Sequence, residues 1–255
     1  MFDLELTIES GQTPTFTWEK TGLHRFRKIA GNDEVWLDQG ILGGSLKASP
    51  SFSKSAMSRL FRLQDDVPSI YETLAQDDAV LAAAVKAYSG LRLTEADPWE
   101  STVCFLVSQN NHIPRIKQIV RGLHGRNGFL KPEELATADF SHLKAGYREP
   151  FLKETAALVN ENGFSFDRLR RKGIDSAREV LMELPGVGPK VADCILLYGL
   201  GRTTAFPTDV WVKKAVATWY GIKKEKDVRD FAAKKWGKTA GYAQQLLFLK
   251  ARNEL

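Results

Sequence analysis

Residues Ile174 to Lys214 read IDSAREVLMELPGVGPKVADCILLYGLGRTTAFPTDVWVKK, and the punctuation of this stretch decides the fold. Ser176 followed three residues later by Glu179 has the form of a capping box ahead of the apolar Val180, Leu181 and Leu184. The pattern predicts a helix that starts near Ser176 and stops at Pro185. Gly186 and Gly188 bracket a tight turn, where glycine tolerates positive φ and lets another backbone or a phosphate come close. Pro189 suits the first position of a second helix, because an amide there has no intrahelical partner to lose. Val191, Ile195 and Tyr198 fall on one face of that helix and are expected in the core, whereas Lys190 and Cys194 share another. A loop punctuated by glycine and proline then leads to Asp209, placed to cap a third helix from Val210 to Tyr220.

Two of these residues carry chemistry. The positive end of the helix dipole and partial burial both disfavour a charge on Lys190, which is what an amine nucleophile requires. Taken singly, Lys190 also reads as a surface lysine and Asp209 as a plain N-cap. The combination is more specific. LPGVG, then Lys190, then a Pro-containing loop and Asp209, resembles the helix-hairpin-helix, Gly/Pro-rich loop and aspartate motif of base-excision DNA glycosylases. Within that superfamily PGVGPKVADC and PTDVW look like the 8-oxoguanine DNA glycosylase/AP lyase family.

Composition sets the outer limits. The 255 residues, 43% hydrophobic, suffice for one large or two small domains with a substantial core. A formal charge of +5 permits a polyanionic partner without demonstrating one. Cys104 and Cys194, the two cysteines, form neither a disulfide framework nor a metal-ligand spacing, which fits a reducing, intracellular compartment. Two are also too few for the four-thiolate cluster of the iron–sulfur branch of the superfamily. The acidic start MFDLELTIES is unlike an export signal, and no run of 18 apolar residues suggests a membrane span.

Ahead of the motif the pattern changes once. Leu4, Leu6 and Ile8 alternate with Glu5, Thr7 and Glu9, and Phe16, Trp18, Val35 and Leu37 continue the theme between breaks at Gly11, Gly22, Gly31, Gly40, Gly43 and Gly44. This predicts a small antiparallel sheet. From about Ser55 the period becomes helical, with helices expected at 67–74 and 79–88 and another opened by Asp97 and Pro98. That helix should stop in SQNNHIPR, beyond which Ile116, Ile119, Val120 and Leu123 resume an apolar stripe. The expected fold is therefore α+β, with an N-terminal antiparallel sheet (1–54) packed on a helical bundle (55–255) that carries the hairpin motif at about 175–200.

The resemblance extends from about Glu9 to Phe248 and implies further roles. Asn110 would fill the gap left by a flipped nucleotide, and Arg115 would read the orphaned cytosine. In GYREP, Tyr147 becomes a wedge and Arg148 a second reader of cytosine, which suits a ring that slips between base steps and a guanidinium with paired donors. In GYAQQLLF, Gln244 would bond the base edge and Phe248 would stack on one face of the purine, with Cys194 on the other. Gly11 in SGQTPTFTW is the candidate for recognising the N7 hydrogen of 8-oxoguanine, although this turn is longer than the family's by two residues. His112 and Trp211 stand where an asparagine and a phosphate-contacting histidine are expected.

These readings imply a monomeric, bifunctional enzyme, in the nucleoid of a prokaryote or a eukaryotic nucleus, that acts on double-stranded DNA containing oxidised guanine or an abasic site. It would need no cofactor or catalytic metal, apart from a structural cation that the hairpin could hold. Gly186, Val187 and Gly188 would grip a phosphate, Lys190 would attack C1′ of the sugar, and Asp209 would stabilise the cationic intermediate. Two rivals remain at this stage. One is a glycosylase of the same fold for another damaged base; the other is a non-enzymatic DNA-binding module, which would have no use for Asp209.

Overall fold

Asp3 opens the chain with a helix where the alternating pattern predicts a strand. Its carboxylate accepts from Leu6 N at 2.9 Å and caps α1 (Leu4–Ile8), so Leu4 and Ile8, four apart, are buried on the same side. The set Leu4, Leu6, Ile8 contains that helical pair as well as an alternation, and the cap decides between them. A second helix, α2 (Thr13–Thr17), includes Phe16 and carries Pro14 in its first turn. The sheet begins only afterwards. The computed structural model describes residues 2–30, 33–41, 43–125, 128–161 and 163–255, so Gly31 lies outside the described residues.

Strands β1 (Glu19–Gly22), β2 (Arg25–Ala30), β3 (Asp33–Asp38) and β4 (Lys47–Ala48) pair antiparallel in that order. Phe26 faces Leu37 across the register, and both are fully buried in a small core with Leu4, Ile8, Trp18 and Val35. Leu60, Phe61 and Ala96 from the helical region complete this core. Lys28, beside Val35, reaches Glu100 at 2.6 Å and ties the sheet to the bundle.

The helices follow as α3 (Lys54–Leu60), α4 (Val67–Ala75), α5 (Ala79–Ala87), α6 (Pro98–Ser108), α7 (Ile113–Gly122), α8 (Pro132–Leu135) and α9 (Arg148–Asn160). A two-stranded ribbon of β5 (His124–Gly125) and β6 (Gly128–Phe129) lies between α7 and α8. Then come α10 (Phe166–Arg171), α11 (Ile174–Met182), α12 (Pro189–Cys194), α13 (Val210–Tyr220), α14 (Glu225–Trp236) and α15 (Ala240–Glu254). The expected helices at 67–74, 79–88 and after Asp97 all form, and Asp66, Asp78 and Asp97 cap them.

The capping box is not where the sequence suggests. α11 starts at Ile174, capped by Gly173 without a side chain, and Ser176 falls inside its first turn. Buried Arg178 supplies the reason, because its guanidinium reaches Asp193 on α12 at 2.7 Å and also bonds Asp175. That ion pair holds the extra turn in place. Among the described residues no helix is long and apolar enough to cross a membrane.

Candidate active site

Helix α12 begins where Pro189 predicts and is buried through Val191, Ala192, Asp193 and Cys194. It then continues as a wider π turn over Ile195–Gly199, in which Leu200 N reaches back to Ile195 O at 2.9 Å. Such turns are rare and recur at functional sites. Tyr198 lies in this turn, four residues beyond Cys194 and eight beyond Lys190.

Lys190 is half-buried, and its amine sits 5.1 Å from the centre of the Phe105 ring. Phe105 on α6 stacks on Tyr198 with centroids 5.5 Å apart. Cys194 lies within hydrogen-bonding reach of the lysine, and burial pushes its thiol up to about 11 despite the ammonium beside it. The charge of Asp209 acts on the same thiol in the opposite sense, so amine, thiol and carboxylate lie close together. Asp209 caps α13 as the sequence predicts, its Oδ1 accepting from Val212 N at 2.8 Å. Among the described residues, Oδ2 has no donor and forms no ion pair with Lys190. The carboxylate is therefore oriented by its cap and still has an oxygen to offer.

The residues read as a base pocket also converge. Gly11 adopts φ +87°, and a Cβ there would come within 3.0 Å of the Phe248 ring, so only glycine lets the turn lie this close to α15. Gln244 is buried; its Nε2 donates to Pro207 O at 3.1 Å, and its Oε1 lies 3.0 Å from the Tyr198 hydroxyl. The longer turn has its own anchor in Gln12. This buried side chain donates to Ser10 Oγ and Arg92 O at 2.9 Å and accepts from Thr94 N at 2.8 Å.

A second cluster holds the residues read as DNA contacts. Asn110 takes a left-handed φ of +46° and donates to the hydroxyl of exposed Tyr147 at 3.2 Å. Arg148 stacks on the Tyr147 ring at 4.4 Å and donates to the carbonyls of Gln109, Asn110 and Ala145. Arg115 donates to Leu143 O at 2.6 Å and to Lys144 O at 3.1 Å. Both guanidinium groups thus shape the loops on either side of the Asn110 break, and each has five N–H donors to divide. His112 caps α7 by accepting from Arg115 N at 3.4 Å, and half-buried Trp211 carries the Lys214 amine 5.1 Å above its ring.

The hairpin joins the two clusters. A Cβ on Gly186, at φ +77°, would fall 2.5 Å from Phe151, and Phe151 in turn packs edge-on against Tyr147. Val187 is buried beneath the turn. Among the described residues the amides of Gly186 and Gly188 have no acceptor, which leaves them available to an anion. No group of three or more His, Cys, Asp or Glu among the described residues could hold a metal ion.

A helix-hairpin-helix that delivers a lysine to the mouth of a capped aspartate defines the class of helix-hairpin-helix base-excision proteins. The comparisons agree with the geometry. Residues 1–102 match the family model for the 8-oxoguanine DNA glycosylase N-terminal domain, and residues 103–238 match the HhH-GPD superfamily base excision DNA repair protein. The chain belongs to the 8-oxoguanine DNA glycosylase family within that superfamily. It is 32% identical to a probable N-glycosylase/DNA lyase of Methanothermobacter thermautotrophicus, over 98% of this chain and 94% of that protein. It is 29% identical to the Arabidopsis thaliana N-glycosylase/DNA lyase OGG1, over 96% and 76% of the two chains. The Clostridium acetobutylicum 8-oxoguanine glycosylase/lyase, solved with double-stranded DNA containing cytosine opposite 8-oxoguanine, superposes with a TM-score of 0.89 at 28% identity over 99% of this chain and 92% of that one.

Three residues at the site were read only as core or passed over: Phe105, Tyr198 and Gln245. The spacing of Tyr198 from Lys190 and Cys194 could have flagged it. Nothing local distinguishes Phe105 from its apolar neighbours on α6.

Proposed function

We propose that the chain removes 8-oxoguanine, read opposite cytosine, from double-stranded DNA and then cleaves the strand through a Schiff base on Lys190. Its glycosylase class follows from the family; the lesion, the opposite base and the covalent chemistry are the reading added here. The observation that carries it is the seating of the Lys190 amine over the Phe105 ring and beside Cys194, a thiol on which the charge of Asp209 also acts.

In this mechanism the hairpin amides of Gly186 and Gly188 hold a phosphate while the nucleotide turns out of the stack into the space bounded by Gly11, Cys194, Gln244 and Phe248. Lys190 Nζ bonds to C1′ as the C1′–N9 bond breaks, and the base leaves with the electron pair and gains a proton. To attack, the amine must give up a proton, and the free oxygen of Asp209 suits that task. Passed on to the departing base, that proton leaves the carboxylate charged again to stabilise the cationic sugar. Opening of the sugar ring gives the imine. Loss of a proton from C2′ then expels the 3′ phosphate, and water releases the lysine.

Asn110 and Tyr147 would occupy the vacated position, and Arg115 and Arg148 would turn donors from loop carbonyls to the cytosine edge. The partner is DNA carrying oxidised guanine or an abasic site, and one chain suffices for every step. No cofactor is assigned. Residues 1–54 serve in this reading as a scaffold that sets Gly11 against the helical region.

Borohydride trapping tests the reading. Wild type incubated with 8-oxoguanine:cytosine duplex should become covalently attached to DNA, and Lys190→Gln should not, while still binding the duplex. Trapping that persists in Lys190→Gln rejects the nucleophile. Equal release of 8-oxoguanine opposite cytosine and adenine by wild type rejects the opposite-base reading, and Arg115→Ala is expected to flatten a preference that each bidentate contact supports by about 1–3 kcal/mol.

A further inference from the structure

Gln245 is buried on α15 beside Gln244, and no step above uses it. Its carboxamide joins two elements. Nε2 donates to Ser10 O at 2.8 Å, and Oε1 accepts from the Tyr198 hydroxyl at 2.6 Å. At the other end of the same peptide, Gly11 N donates to the Thr15 hydroxyl at 2.8 Å. The Ser10–Gly11 peptide plane is therefore clamped from both sides, immediately ahead of the glycine that touches Phe248. Among the described residues no donor reaches the Gly11 carbonyl.

The Tyr198 hydroxyl faces two amide oxygens but has one proton. Burial raises this phenol well above its usual range, and the charge of Asp209 adds to the effect, so the proton stays. Ser10 O fixes the orientation of the Gln245 amide and Pro207 O fixes that of Gln244, because a carbonyl can only accept. Gln245 is the nearer acceptor, at 2.6 against 3.0 Å, and takes the proton. Gln244 Oε1 is left against a lone pair. A buried acceptor without a donor is costly, and a ligand N–H would relieve that cost.

We propose that Gln245 is a specificity-determining positioning residue: by clamping Ser10 and taking the Tyr198 proton, it presents Gly11 O and Gln244 Oε1 as paired acceptors for the N–H groups of an oxidised purine. This rests on the reading given under Proposed function. Guanine with an unprotonated N7 has no donor for one of the two acceptors, whereas its 8-oxo form has donors at N7, N1 and the exocyclic amine. An abasic site has nothing for either to read.

The experiment compares single-turnover release of 8-oxoguanine with cleavage of a preformed abasic duplex, for wild type, Gln245→Met, Tyr198→Phe and the double variant. Gln245→Met keeps the side-chain volume and removes both hydrogen bonds; the ratio of lesion to abasic rate should fall roughly ten- to hundredfold. Tyr198→Phe should lower the ratio less, because Ser10 still holds Gln245. The double variant should lose no more than Gln245→Met, since both act through one chain of bonds. Equal changes on both substrates for Gln245→Met, or losses that multiply in the double variant, overturn the assignment. Should Gln245→Met fail to fold by its melting curve, Tyr198→Phe decides, and an unchanged ratio there is the negative result. If wild type cleaves abasic DNA but releases no 8-oxoguanine, the functional reading fails and this inference falls with it.

Discussion

The amine of Lys190 lies 5.1 Å from the centre of the Phe105 ring, which makes a buried phenylalanine from α6 the platform for the lysine proposed as nucleophile on α12. The contact positions the attacking atom and makes no use of the base. Phe105→Leu should therefore slow 8-oxoguanine release and abasic cleavage by the same factor, about tenfold. A cation–π contact of about 0.5–2 kcal/mol sets that scale. Single-turnover rates on both duplexes check it, with a loss confined to the lesion substrate counting against the assignment.

Asp209 has one oxygen committed to Val212 N and, among the described residues, the other without a donor. Asparagine keeps the capping oxygen, so Asp209→Asn should change folding stability by no more than about 1 kcal/mol. Excision should nevertheless fall at least about a hundredfold, because a preorganised charge facing a developing cation contributes several kcal/mol. A melting curve beside the rate separates the two roles. A collapsed melting temperature with normal activity per folded molecule would reduce Asp209 to a cap.

The parts of this site that were legible in the sequence are those whose signals are local. Pro189 at a helix start, Asp209 at an N-cap and Gly186 at a positive φ in the hairpin each declare their geometry within a few residues and form where expected, whereas Gly188 caps α12 at an ordinary φ of −89°. The N-terminal helix was hidden because Leu4 and Ile8 satisfy both a period of two and an i,i+4 pair, and only the cap from Asp3 separates them. Ser176 misled for the converse reason, since a distant partner of Arg178 carries α11 a turn further back. Phe105 and Gln245 could not be picked out at all, and Tyr198 only by its spacing from Lys190 and Cys194. Their use depends on a π turn and on contacts between residues 10, 198 and 245, far apart in the chain.

Asp193 is 1% exposed and bridges Arg178 and Arg229 at 2.7 and 3.2 Å, which locks α11 and α14 to the helix that bears Lys190. Removing the carboxylate strands the Arg178 guanidinium, itself 7% exposed, without its buried partner. Such a loss costs about 3–5 kcal/mol. Asp193→Ala should unfold at much lower denaturant than wild type, and Arg229→Ala, from the more exposed end, should cost far less. Similar midpoints for the two variants would show that the bridge carries little stability.

Gly11 and Phe248 come from opposite ends of the chain and meet so closely that a Cβ on Gly11 would lie 3.0 Å from the ring. Two penalties attend Gly11→Ala. A residue with a Cβ at φ +87° is strained by roughly 1–2 kcal/mol, and the new methyl must also displace the ring. Phe248→Ala removes the ring and with it a stacking partner worth about 1–3 kcal/mol to a flipped base, so lesion release should slow about ten- to hundredfold while abasic cleavage persists. The pair makes a further demand on stability. In Gly11→Ala/Phe248→Ala the steric part of the first penalty disappears and the backbone strain stays, so the double variant should be less destabilised than the two single losses added together. Denaturant midpoints for the four proteins measure that difference. Strict additivity would mean that the ring yields freely to the methyl, and Gly11 would then be required by its backbone angle alone.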